Sequence, residues 1–391
     1  MILNGILGAL AAASLALVLW QWLAARRFPL HRRIGARQRT PEGDESYPGP
    51  EFQPGVTLLK PLKGCEAHTG SCLRSWFEQD YAGALQILFA VSNARDPVCA
   101  VVESLCREFP NHDARLVVCP ERLGANAKVS KLAQLEPLAS HETIVVSDAD
   151  VCAPPDLLAN AVLPLRQPEI GLVTCFYRLA NPATLAMRWE AVAINADFWS
   201  QVLQGASFRR LDFALGAVMA MRRSTLTAIG GFCVLVDCLA DDYQLGNRIA
   251  RGGHRIELCS VVVECRLDAV GWGAVWRHQL RWARTIRVCQ PLPYFLSLLS
   301  NATFWPLIWL AATPSARTLA ASAFCLAIRC GVAADLQTRL TRVRDNLQWL
   351  WLVPVKDLLQ VALWACAFAG NGIKWRGERY RLRRDGTLER R

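Results

Sequence analysis

His141 to Val151 reads HETIVVSDADV. The run Ile144-Val145-Val146 has the β-branched content of a buried strand, and it stops on Asp148 and Asp150. On an extended chain two carboxylates two residues apart face the same side, so their charges add. A buried strand that ends this way is expected to face a positive group.

The neighbouring sequence places that strand in a sheet. VTLLKPLK, LQILFAVSN and ARLVVC read as further buried strands, and the stretches 98–109 and 128–138 between them as helices. This alternation predicts an α/β fold, a parallel sheet with helices on both faces. Ligands of such sheets bind at the carboxyl ends of the strands. Asn93, Asp96, the stretch 119–124, Asp148 and Asp150 all fall at those ends. Beyond Val151, GLVTCFYR and GAVMAMRR read as strands and 184–203 as a long helix. The stretch 241–251 reads as a short helix with acids in its first turn, where the helix dipole favours them, and 274–287 as a basic, aromatic helix.

The ends of the chain have a different composition. Of 391 residues, 52% are hydrophobic and 14 are Trp. Residues 1–24 are apolar and long enough to span a bilayer. Arg26, Arg27, Arg32, Arg33, Arg37 and Arg39 follow. A cleavable signal carries its charge ahead of the apolar core, so this order predicts a retained anchor with the basic side in the cytosol. Residues 41–54 form a proline-rich linker. The stretches 292–312 and 319–334 are each apolar enough to span, and 335–346 between 319–334 and the next apolar stretch carries Arg339, Arg342 and Arg344. Pro354, Lys356 and Asp357 interrupt 347–370, which favours an interfacial or re-entrant segment, with a full span as the rival. The basic tail, 371–391, reads as a small hairpin. The net charge of +11 clusters beside apolar segments, and no nucleic-acid motif occurs. The partner implied is an anionic membrane surface, with no nucleic acid. The 15 Cys show no paired CxxC spacing. A cytosolic catalytic domain would keep them reduced.

Three patterns carry chemistry. Asp148 and Asp150 suit Mg²⁺ or Mn²⁺, which keeps waters and bridges to phosphates; alone they also suit a turn before Pro154-Pro155. Asp241 and Asp242 open a helix in LADDYQLGNRIARGGHR; adjacent carboxylates raise each other's pKa, which suits a general base, and they also suit a helix N-terminus. His278, Arg281 and Trp282 in WRHQLRWARTIR share one helix face. Arginine pairs well with a diphosphate, while a basic helix resting on lipid headgroups is the plainer reading. Lys128 in GANAKVSKL is a candidate for a phosphate, and Asn93 and Asp96 in VSNARDP for a base or ribose, against surface and turn roles.

Strand-end D-x-D, then D-D-Y, then a basic x-x-R-W helix, then apolar spans: this order resembles the family 2-like membrane glycosyltransferases, and most nearly the ceramide glucosyltransferase group with its bacterial hopanoid-associated relatives. VTLLKPLKG, GANAKVSKL, SDADV, ADDYQLG and HQLRWARTIR carry the resemblance. It implies a GT-A-like nucleotide-sugar domain over 55–287, after an anchor (1–25) and linker (26–54). Membrane spans and an interfacial or re-entrant segment (288–370) and a basic cytosolic tail (371–391) would follow. It implies Asp148 and Asp150 at a divalent metal and a UDP-sugar, Asp242 as catalytic base, and Arg281 and Trp282 at the diphosphate. Asn93 stands where the family has aspartate, and His278 where it has Gln or Arg. The activity implied is transfer of one sugar, glucose in the group's name-giving reaction, to a membrane-lipid hydroxyl with inversion. Its rivals are N-acetylglucosamine transfer to a hopanoid polyol, a processive polysaccharide synthase, and a non-catalytic nucleotide-sugar binder. The location implied is integral and multi-pass, in a bacterial inner membrane, with a cytosolic catalytic domain.

Overall fold

The computed structural model describes residues 1–33, 52–344, 348–375 and 378–390. Most of the proline-rich linker therefore lies outside the described residues. The chain divides into two compact units. A sheet unit holds Pro29–Ala180 and Arg210–Asp268; a helical unit holds Met1–Phe28, Asn181–Arg209 and Ala269–Arg391. Residues 181–209 and 269–287 of the expected domain thus belong with the helical unit.

The sheet unit is an eight-stranded GT-A-like α/β fold. Its strands are β1 (Val56–Pro61), β2 (Leu85–Val91), β3 (Asp113–Val118), β4 (Thr143–Ser147), β5 (Val151–Cys152), β6 (Ile170–Leu179), β7 (Val218–Arg222) and β8 (Arg255–Cys265). Their order is β3-β2-β1-β4-β7-β6-β8-β5. The first four in that order run parallel, as do β6 and β8. β7 is antiparallel to both of its neighbours, and β5 to β8.

Residues of one strand alternate between two apolar layers. Val56, Leu58, Ile87, Phe89 and Val145 pack on one face with Trp76 and Val102. Leu59, Leu88, Ile144 and Val146 pack on the other with Val129, Leu132 and Leu245. A sheet covered on both faces explains why these strands read as continuous apolar runs. Each fully buried Leu, Ile or Phe contributes roughly 1.5–3 kcal/mol.

The opening motif differs from its extended reading. β4 ends at Ser147, and Val151 N–H bonds the Asp148 carbonyl at 3.4 Å. Asp148 and Asp150 are brought together by a turn, where the two-residue period of a strand no longer applies.

In the helical unit, Ile2–Arg27 and Ala316–Thr341 are long and apolar enough to cross a membrane. The span expected over 292–312 is broken: Pro291–Ser300 and Phe304–Ala312 meet at a 55° bend. Asn301 makes the break. Its Oδ1 accepts from the N–H groups of Thr303 (3.2 Å) and Phe304 (2.9 Å), capping the second helix. The last apolar stretch forms the helix Leu352–Phe368. Pro354 sits in its first turn, where no intrahelical donor is lost, and Lys356 and Asp357 are buried. None of the three interrupts the helix. The expected helix over 184–203 forms as Leu185–Val192 and Trp199–Ala206 around a π-helical turn, Ala193–Phe198. The tail is a three-stranded antiparallel sheet, Gly372–Trp375, Glu378–Leu382 and Leu388–Arg390, one strand more than a hairpin.

Candidate active site

The reversal at β7 builds the site. Because β7 runs against β4, its first residue, Val218, pairs with Ser147, the last of β4. The approach to β7 therefore lies beside Asp148, whose N–H bonds the Ala217 carbonyl at 3.3 Å. Thr174 holds this approach: its hydroxyl donates to the Leu215 carbonyl (2.8 Å) and accepts from the Leu215 N–H (2.9 Å). The helix Asp241–Arg251 starts on top of it. A Cβ on Gly246 would lie 2.3 Å from the Ala214 nitrogen, so only glycine lets the helix come this close. A Cβ on Gly216 would lie 2.9 Å from Asp242 Oδ2.

Lys128 joins the two acid motifs. Its Nζ lies 2.8 Å from Asp148 Oδ1 and 2.9 Å from Asp241 Oδ2. Burial opposes its charge, but Asp148 and Asp241 prevail and raise its pKa well above that of an ordinary lysine. Two ion pairs thus hold the Lys128 ammonium in this structure. Asn126 explains the placement. Its Oδ1 caps the helix Ala127–Leu135 through Lys128 N (3.0 Å) and Val129 N (3.2 Å), and its Nδ2 donates to the Cys238 carbonyl (2.8 Å).

Lys60 is the second cation. It is wholly buried on β1, and its Nζ donates to Ser147 Oγ (3.3 Å) and to the Asp148 carbonyl. Burial lowers its pKa to about 8, against the raising influence of Asp150 and Asp148. Two carboxyls respond the opposite way. Asp150 is pushed up to about 6 by burial and then by Asp148. Asp242 is pushed up to about 6 by burial and then by Asp241, with Lys128 pulling it down.

Four carboxylates against two ammonium groups leave a formal charge of −2. That balance fits a divalent cation at Asp148 and Asp150. No group of three or more His, Cys, Asp or Glu able to hold a metal occurs among the described residues. A cation here would take only a pair of protein carboxylates and draw its other oxygens from water and substrate, the habit of Mg²⁺ and Mn²⁺.

Asn93 and Asp96 make turn contacts. Asn93 is exposed, and its Oδ1 accepts from Arg95 N (2.9 Å). Asp96 accepts from Gly64 N (3.0 Å) and Val98 N (3.1 Å), tying the loop after β1 to the start of a helix.

His278, Arg281 and Trp282 come together in the helical unit, on the helix Trp272–Cys289. The rings of His278 and Trp282 meet at 4.9 Å, as their i, i+4 spacing requires. Arg281 lies over Trp375, 5.8 Å from the ring centre. His278 Nδ1 pairs at 2.7 Å with Glu190 Oε1, which also accepts from Gln279 at 2.8 Å. Arg284 and Arg287, on the same helix, bond the Gly372 carbonyl and Asn371.

Lys60, Asn126, Gly216 and Glu190 were not singled out from the sequence as site residues. A lysine inside the apolar run VTLLKP was the one visible signal among them. The others depend on contacts between segments far apart in the chain.

Gly216→Ala is expected to displace the Asp242 carboxyl, since the added Cβ would lie 2.9 Å from its Oδ2. A crystal structure of the variant checks it, with circular dichroism as the control for folding.

The model of glycosyl transferase family 21 matches residues 6–388. Ceramide glucosyltransferase 3 of Caenorhabditis elegans is 24% identical over 246 residues, covering 62% of this chain and 52% of that protein. The ceramide glucosyltransferase of Candida albicans is 32% identical over 148 residues, 35% of this chain and 26% of that protein. The chain thus spans about half or less of the length of these relatives. Among solved structures, the mannosyltransferase PcManGT of Pyrobaculum calidifontis, in complex with GDP-Man and Mn²⁺, superimposes with a TM-score of 0.51. It is 23% identical and covers 92% of this chain and 98% of that one, a likeness of fold.

Proposed function

The chain belongs to glycosyl transferase family 21, and from that premise we propose that it transfers one hexose, glucose, from a UDP-sugar to the hydroxyl of a membrane lipid of the ceramide type, with inversion. The observation that carries this reading is the acid cluster at the carboxyl end of β4, where the Lys128 ion pairs join Asp148 to Asp241, the neighbour of Asp242. Asp242, its pKa raised to about 6, is mostly ionised at neutral pH yet basic enough to accept a hydroxyl proton. It takes the proton of the acceptor alcohol. The alcohol oxygen then attacks the anomeric carbon opposite the leaving diphosphate, and the configuration inverts. A divalent cation bound by Asp148 and Asp150 would supply positive charge against the diphosphate. Lys128 adds positive charge on the leaving group. Asn93 and Asp96 serve the nucleoside end. The apolar helices Ile2–Arg27 and Ala316–Thr341 support a multi-pass protein, and the arginines that follow the first support a cytosolic catalytic unit.

The test is a donor panel (UDP-glucose, UDP-N-acetylglucosamine, GDP-mannose) against ceramide, hopanoid and diacylglycerol acceptors, with and without EDTA, read by mass spectrometry. Mono-glucosylated ceramide that disappears with EDTA is the expected result. A chain of sugars, or UDP release with no glycolipid under any pairing, would overturn the reading.

A further inference from the structure

Lys128 bonds both acid motifs at once, and one of those bonds uses an oxygen of Asp148, a carboxylate assigned above to the divalent cation. We propose that Lys128 is a resident counter-ion which competes with that cation for Asp148, so that metal loading releases the ammonium group toward the incoming diphosphate. The inference rests on the metal reading of Asp148 and Asp150.

The geometry separates what can move from what is fixed. The Lys128 backbone is held by Asn126, which caps its helix and bonds the Cys238 carbonyl, one strut from each side of the site. Asp241 is steadied by Asn126 Nδ2 at 3.5 Å and by its place at the start of a helix. The Lys128 side chain is 11% exposed, and its two short ion pairs are the contacts that hold the ammonium. A divalent ion on Asp148 places two like charges beside that ammonium and takes up the negative charge that held it. One ion pair is lost and the other, to Asp241, remains as a pivot. A lysine suits this exchange, because a compact charge on a flexible stem can be re-aimed without moving the backbone. Without metal, the same lysine keeps Asp148 from repelling Asp241 and Asp242. Donor-side loading is thereby coupled to the charge seen by the base.

Two measurements on the full chain in detergent, without nucleotide, test this. Mn²⁺ affinity is read by electron paramagnetic resonance for the unaltered protein, Lys128→Met and Asp148→Asn. Lys128→Met is expected to bind Mn²⁺ about tenfold more tightly, a gain of about 1.4 kcal/mol. In parallel, the unaltered protein is treated with acetic anhydride with and without Mn²⁺ and read by peptide mass spectrometry. Acetylation of Lys128 is expected to rise several-fold with Mn²⁺, while the exposed Lys63 stays constant. Equal or weaker Mn²⁺ binding by Lys128→Met, or unchanged acetylation of Lys128, overturns the proposal. Should Lys128→Met fail to fold, the labelling of the unaltered protein decides alone. If the unaltered chain binds no Mn²⁺, or Asp148→Asn binds it equally well, the metal reading falls and this inference with it.

Discussion

Asp242→Asn is expected to remove sugar transfer, by roughly 10²–10⁴-fold, while leaving donor affinity within a few-fold of the unaltered protein. The amide keeps the size and the polar contact to Tyr243 N–H, which Asp242 Oδ1 accepts at 2.7 Å, but it cannot take a proton. Kinetics with lipid acceptor and calorimetry with UDP-sugar separate the two effects. The pH profile gives an independent check. Burial and then Asp241 raise the Asp242 pKa to about 6, so the ionised form of the proposed base is lost as pH falls through about 6, and kcat/KM should fall with it. Stability moves in the other direction. A carboxyl with a raised folded-state pKa stabilises the fold below its unfolded pKa, and that contribution is lost as pH rises through about 6. Replacing this unfavourable charge with an amide should therefore raise Tm at pH 7.5. A variant that is both inactive and less stable at that pH would point to a structural aspartate.

Arg329→Met is expected to destabilise the helical unit by about 3–5 kcal/mol, the cost of breaking a buried ion pair by removing one partner. Arg329 Nη2 lies 2.9 Å from Asp197 Oδ2, and its Nε 2.9 Å from Asp357 Oδ2. Lys356 reaches the same two carboxylates, and Thr303 donates to Asp357 at 2.6 Å. All four charged side chains are at most 8% exposed. Removing the arginine leaves two buried carboxylates with one lysine. Thermal unfolding in detergent measures the loss. Arg329→Met combined with Asp197→Asn restores charge balance, so the double variant should lose less than the sum of the singles. Additive losses would show that the charges act independently.

Much of the site could be read before any contact was known. The helix expected over 241–251 forms as Asp241–Arg251 with its acids in the first turn, because local propensity and helix-dipole chemistry agree there. The apolar runs that became β1, β2, β4, β6 and β7 were legible for a similar reason: a strand buried on both faces is apolar throughout. β8 was not, since its exposed and buried residues alternate irregularly across a bulge. The break at Asn301 was hidden inside a run whose composition is otherwise that of a span.

HETIVVSDADV by itself determined a buried strand with two carboxylates beyond its end, and the motif order determined which distant acids and arginines to examine with it. The chemistry of a residue and its immediate spacing are local properties, and sequence records them directly. Tertiary structure decided the rest. It ended β4 at Ser147 and turned the chain there, reversed β7 so that Gly216 comes beneath Asp242, and set Lys128 between Asp148 and Asp241. It also placed Glu190 against His278 and buried Lys356 and Asp357 in a charge network. Strand direction, close approach and charge pairing arise only when segments a hundred residues apart are packed together, and no local pattern encodes the partner.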